Sequence, residues 1–100
     1  MADITVQELK QKIDNNEEFL FIDVRETWEY EEANIGAKLI PLGELQGAID
    51  DYDEWMDKEV VVHCKSGMRS AAARDFMVRN GFENVRNLVG GIMAWQQHYA

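Results

Sequence analysis

The chain is short of several things, and each shortage excludes something. Its 100 residues include one cysteine, so no disulfide can form within it. With no secretion-signal pattern at the start, the expected compartment is a reducing one, the cytoplasm. There is one proline, no low-complexity stretch and no internal repeat, so residues 1–100 are expected to form one domain. A chain of that length can build a core without metal or disulfide staples. No apolar run approaches membrane-spanning length. One cysteine and two distant histidines give no metal-ligand spacing, and no phosphate-binding or dinucleotide glycine motif occurs; no metal and no cofactor is expected. Basic residues are also scarce, 10 against 19 acidic ones. The net charge of −9 argues against nucleic acid or an anionic membrane as partner.

What charge there is, however, is unevenly placed. Residues 1–50 carry 4 basic and 12 acidic side chains, whereas residues 60–82 carry Lys65, Arg69, Arg74 and Arg79 against Asp75 alone. That basic stretch contains the cysteine. Val60-Val61-Val62 reads as a buried strand. Lys65-Ser66-Gly67 reads as a tight loop in which Gly67 allows a sharp turn and a close backbone approach. From Ser70 on, a run of good helix formers carries Ala72, Ala73, Phe76 and Met77 at helical spacing, and Asn80-Gly81 stops it. Cys64 thus falls between a strand end and a helix start. Unpaired N–H groups there bind anions and lower a thiol pKa, as do nearby cations such as Lys65 and Arg69. The expectation is a thiolate in a small anion-binding cradle. Arg74 and Arg79 follow by a turn or more and are read as a solvated helix face.

The remaining segments alternate between helix and strand. Thr5 and Glu8 match a capping box, and the helix they start should turn Val6, Leu9 and Ile13 inward. Phe19-Leu20-Phe21-Ile22 is a strand buried on both faces. It runs into Asp23-Val24-Arg25-Glu26, where Asp23 and Arg25 sit at a strand's carboxyl end, either at the site itself or holding loops beside it. A short helix around Trp28 and Tyr30 has an acidic face read as solvated, with no chemistry assigned. Lys38-Leu39-Ile40 is a short strand, and residues 43–52 are expected as one helix. Val85 to Val89 is a last strand, and Gly90-Gly91 leads into a terminal helix whose Trp95 should pack on the sheet. The glycine pair serves either tight packing, the favoured reading, or a second backbone nest for an anion. His63 should point away from Cys64, as neighbours on a strand do, and is taken as a packing residue. The methionines and tryptophans are taken as core filling. The fold class is α/β, three-layer α/β/α, with a mostly parallel sheet of four or five strands.

Four stretches together carry a resemblance that spans essentially the whole chain. They are Asp23-Val24-Arg25-Glu26 with Trp28-Glu29-Tyr30; Ile35-Gly36-Ala37 leading to Ile40-Pro41-Leu42; Cys64-Lys65-Ser66-Gly67-Met68-Arg69-Ser70; and Gly90-Gly91-Ile92-Met93-Ala94-Trp95. In that order the chain resembles a single-domain rhodanese, a sulfurtransferase. It departs from the common family pattern at Ala33-Asn34, so no role is carried onto Asn34. The resemblance implies that Cys64 becomes a persulfide and that Cys64 to Arg69 is the active-site loop, with Lys65, Ser66, Gly67, Met68, Arg69 and Ser70 binding substrate and Asp23 and Arg25 supporting. A small anionic donor such as thiosulfate would supply sulfur. Cyanide or a thiol, including a protein thiol, would accept it. Two other readings stand beside this one: a persulfide carrier or binding module that docks a partner through the acidic residues 14–32, and, less favoured, a phosphatase. A related phosphatase family has five residues between Cys and Arg; this chain has four, a tighter cradle suited to one sulfur atom. The sequence leaves the oligomeric state open.

Overall fold

The structure, a computed structural model, describes residues 3–99. The first helix, α1 (Val6–Asp14), starts at the expected capping box: Glu8 N–H donates to Thr5 Oγ1 at 3.1 Å, and Thr5 N–H to Glu8 Oε1 at 3.0 Å. Val6 and Leu9 are buried. Ile13, expected on the same face, lies in the last turn and is exposed. The strands are β1 (Leu20–Asp23), β2 (Lys38–Leu39), β3 (Glu59–His63) and β4 (Asn84–Asn87). They pair in the order β2-β1-β3-β4, all parallel. Beyond β4, Ile4 bridges Leu88, with Ile4 N–H to Asn87 O at 3.0 Å and Val89 N–H to Ile4 O at 2.9 Å. The sheet therefore has four strands and a one-residue extension.

Alternation along the inner strands divides the core in two, because successive side chains of a strand point to opposite faces. Leu20 and Ile22 of β1, with Val60 and Val62 of β3 and Cys64 after it, pack on one face against Ala73 and Met77 of α4 (Met68–Arg79) and Leu45 of α3 (Leu45–Ala48). Phe19, Phe21 and Val61 face the other way, toward Ile4, α1 and α5 (Gly91–Tyr99), where Trp95 is half-buried against the same cluster. Helices thus cover both faces of the sheet.

Two expectations fail locally. Residues 43–52 do not form one helix: α3 is a single turn between 3₁₀ segments Leu42–Glu44 and Ile49–Trp55, broken at Tyr52 (φ −117°, ψ 23°). Gly43 and Gly47 weaken a continuous α-helix, and the three-residue spacing of Ile49, Tyr52 and Trp55 suits 3₁₀ turns packed on the core. In α4, Ala72 is exposed. The helix begins at Met68, and the inward stripe runs Ser70, Ala73, Met77, which turns Ala72 aside. Among the described residues, no helix is long and apolar enough to cross a membrane.

Candidate active site

β3 ends at His63 and delivers Cys64 to the sheet's carboxyl edge. Gly67, at φ 114°, takes a backbone conformation that side chains disfavour and reverses the chain into α4. The sulfur ends up facing the N–H groups that the first helical turn leaves unpaired. Gly67 N–H donates to Cys64 Sγ at 3.1 Å and Ser70 N–H at 3.4 Å, and Ser70 Oγ lies 3.3 Å from it. The side chain is only 1% exposed. Burial pushes the thiol pKa up, but the bonds from the Ser70 hydroxyl and from the N–H groups of Ser70, Gly67 and Ser66 outweigh it and bring it below the ordinary value. The cradle therefore favours one negative charge at the sulfur position.

Neighbouring elements hold the loop in this shape. Asn87, at the end of β4, donates Nδ2–H to Gly67 O at 3.0 Å, and its Oδ1 lies 2.5 Å from Ser70 Oγ. The one hydroxyl proton of Ser70 can serve Asn87 or Sγ, so the relay can turn toward sulfur when it is anionic. The first turn of α5 donates Ile92 N–H to Cys64 O (2.9 Å) and Met93 N–H to Lys65 O (3.1 Å). Gly91 packs directly against those two carbonyls; a Cβ there would overlap both. The glycine pair is thus tight packing, with these N–H groups already engaged.

Asp23 and Arg25 form a buried frame behind the loop. Asp23 accepts Arg25 Nε–H at 3.0 Å and Nη2–H at 2.8 Å, while Arg25 also donates to Glu29 O and Ala33 O, fastening α2 (Thr27–Glu32) to β1. His63 is fully buried, 3.5 Å from Asp23 Oδ2, with Nδ1 3.3 Å from Cys64 O. Burial lowers its pKa, against the pull of Asp23, so it packs as the neutral ring. Arg69 stands at the rim, and both ends of its fork are held by Glu29: Nη1 to Oε1 at 2.7 Å and Nη2 to Oε2 at 2.9 Å. Lys65 and Ser66 are exposed. A cleft of about 160 Å³ lies beside the loop, walled by Trp28, Glu29, Lys65, Met93 and Gln96 among others.

A rhodanese-like domain model matches residues 5–98. The chain belongs to the rhodanese-like family. It is 39% identical over 97 residues to YtwF of Bacillus subtilis (strain 168), a protein named as a candidate sulfurtransferase, covering 96% of this chain and 91% of the relative. It is also 39% identical over 96 residues to YrkF of the same organism, named as a candidate sulfur carrier, covering 95% of this chain; the chain spans about half of YrkF's length. A rhodanese-related protein from Thermoplasma volcanium superposes with a TM-score of 0.84 at 30% identity, covering 100% of this chain and 96% of that one.

Within this rhodanese-like domain, two contributors to the site were not identified from the sequence. The sequence pattern reads Glu29 as part of a solvated acidic face, yet it is buried and holds Arg69. Glu26 three residues before it was a weak clue: Glu29 reaches back as in a capping box, accepting Glu26 N–H at 3.0 Å. Asn87 has no local signal: the sequence places it in the middle of a strand over Val85 to Val89, whereas β4 ends at Asn87, at the sheet's carboxyl edge. Nor are all the large apolar residues core filling. Met68 is 82% exposed, Trp28 63%, and Met93 is exposed as well; Trp28 and Met93 wall the cleft, and Met68 follows Gly67 at the loop's end.

Proposed function

We propose that this rhodanese-like protein transfers sulfane sulfur through a persulfide on Cys64. The cradle of N–H donors around a single buried sulfur carries the reading. The Cys64 thiolate attacks the outer sulfur of a donor such as thiosulfate; the new S–S bond forms as the donor's own S–S bond breaks, and sulfite leaves with the electron pair. The cradle N–H groups of Gly67, Ser66 and Ser70, with the Ser70 hydroxyl, stabilise the persulfide anion. Exposed Lys65 draws in the donor, Arg69 and Met68 border the mouth, and Asp23 and Arg25 keep α2 and β1 in place. Cyanide, a small thiol or a protein thiol then takes the outer sulfur and restores the Cys64 thiolate. These half-reactions suit a reducing cytoplasm.

A second reading is that the chain serves a partner protein as a sulfur carrier. The likeness to YrkF favours it, and both readings share the persulfide.

The test is intact-protein mass after incubation with thiosulfate, with Cys64→Ser alongside. The parent should gain one sulfur atom and lose it on adding cyanide, while the variant gains none. Gain in Cys64→Ser would overturn the role of Cys64. No gain in either, with sulfur accepted only from a loaded partner, would make the protein a carrier.

A further inference from the structure

The loop's arginine is the natural group to read the oxygens of an oxyanion donor, since a guanidinium fork binds such oxygens in pairs. Here that fork is already filled. Glu29 takes both terminal nitrogens of Arg69 in a bidentate pair, and Glu29 is itself anchored by the N–H of Glu26. The other arginine nearby, Arg25, is neutralised by Asp23. Of the three cations at this site, Arg25, Lys65 and Arg69, Lys65 alone has no carboxylate partner among the described residues, so it is the one left to meet a donor. The cradle offers its N–H groups to sulfur alone. Glu29 also walls the cleft beside the loop, together with the exposed rings and chains of Trp28 and Met93. A dianion arriving there meets a carboxylate where it needs the fork. The S–S–H group of an organic persulfide carries at most one negative charge and has no oxygens that need the fork, so it meets less of this conflict, and its organic body finds Trp28, Ile92 and Met93 along the wall.

We propose that Glu29 is a specificity-determining residue: by occupying the Arg69 fork it disfavours dianionic sulfur donors and turns the site toward organic persulfides. This rests on the persulfide reading of Cys64. In the favoured half-reaction the Cys64 thiolate attacks the outer sulfur of R–S–S–H. The Cys64–sulfur bond forms, the donor S–S bond breaks, R–S⁻ leaves with the electron pair, and the transferred sulfur keeps its proton. Glu29 acts through Arg69 and takes no part in bond making.

The experiment compares sulfur loading of the whole protein by thiosulfate and by cysteine persulfide, in the parent, Glu29→Gln and Glu31→Gln. Gln keeps the shape and can still accept from Glu26 N–H, but it breaks the bidentate pair. Glu31, exposed on the same helix, controls for the loss of one charge. In Glu29→Gln the ratio of kcat/KM for thiosulfate to that for cysteine persulfide should rise about tenfold, the scale of one charge-assisted hydrogen bond gained. The rise should come from a lower thiosulfate KM, and Glu31→Gln should leave the ratio unchanged. Should Glu29→Gln not fold, Glu29→Asp, which keeps the charge but shortens the reach, should move the ratio the same way by less. An unchanged ratio, or a higher thiosulfate KM, would overturn the proposal and leave Glu29 a brace for the loop. No sulfur on Cys64 from either donor would overturn the persulfide reading itself, and this with it.

Discussion

At the scale of single residues, the site is a problem in satisfying one buried sulfur. Cys64 has lost nearly all contact with water, which alone would keep it a thiol. Three backbone N–H groups and one hydroxyl reverse that, and the hydroxyl is the one replaceable part. Ser70→Ala should therefore raise the pH at which Cys64 becomes reactive, since burial persists and the largest opposing contribution is gone. The check is the pH dependence of iodoacetamide alkylation: the parent's inflection lies below that of an ordinary thiol, and the variant's lies above the parent's. An unshifted inflection would mean that the backbone donors suffice. Asn87 gains meaning at this scale too. It fixes the Gly67 carbonyl and offers Ser70 an alternative partner, so it tunes the cradle without touching sulfur.

At the scale of elements, the loop is set by what packs behind it. The turn from β3 into α4 needs Gly67 at positive φ, but the loop's height above the sheet is decided by α5, whose first turn hydrogen-bonds the carbonyls of Cys64 and Lys65. Gly91 makes that approach feasible, with φ 59° and both carbonyls directly over it. Gly91→Ala adds a methyl group against backbone that cannot rotate away, at a φ that side chains disfavour. Its cost should be about 2–4 kcal/mol in urea unfolding, and sulfur loading should fall further than stability does as the loop is pushed off the cradle geometry. Gly91→Ala with parent-like loading would show that α5 does not set the loop. α2 also braces the loop, through side chains. Arg25 ties its carbonyls to β1, and Glu29 ties it to Arg69, so helix, strand and loop share one charge network.

At the scale of the whole molecule, that network links stability to pH. The Arg69 guanidinium holds the Glu29 carboxyl at a pKa of about 2, against 4.5 for the free group. The unfolded chain takes up the proton first as pH falls, so the contribution of the pair is full above pH 4.5 and is lost between there and about pH 2. The stability gap between parent and Glu29→Gln in urea melts should thus be largest at neutral pH and should close as pH drops through that window. A gap independent of pH would mean that the charge pair does not stabilise the fold. Much of this molecule was legible beforehand. The capping box at Thr5, the strand at Val60, the helix after Gly67 and the place of Cys64 between them all follow from local pattern, because propensity, periodicity and turn chemistry act over a few residues. The resemblance added the sulfur-transfer chemistry expected of the loop. Local pattern failed where a partner came from far along the chain. Glu29 meets Arg69 across 40 residues, Asn87 meets Gly67 across 20, and Gly91 meets Cys64 only because β4 returns beside β3. The sequence by itself determined which atom is the nucleophile candidate and that N–H groups surround it. Which cation remains free to greet a donor was decided only by tertiary structure, because a carboxylate's partner depends on what the fold brings within 3 Å, and no spacing rule along the chain records that.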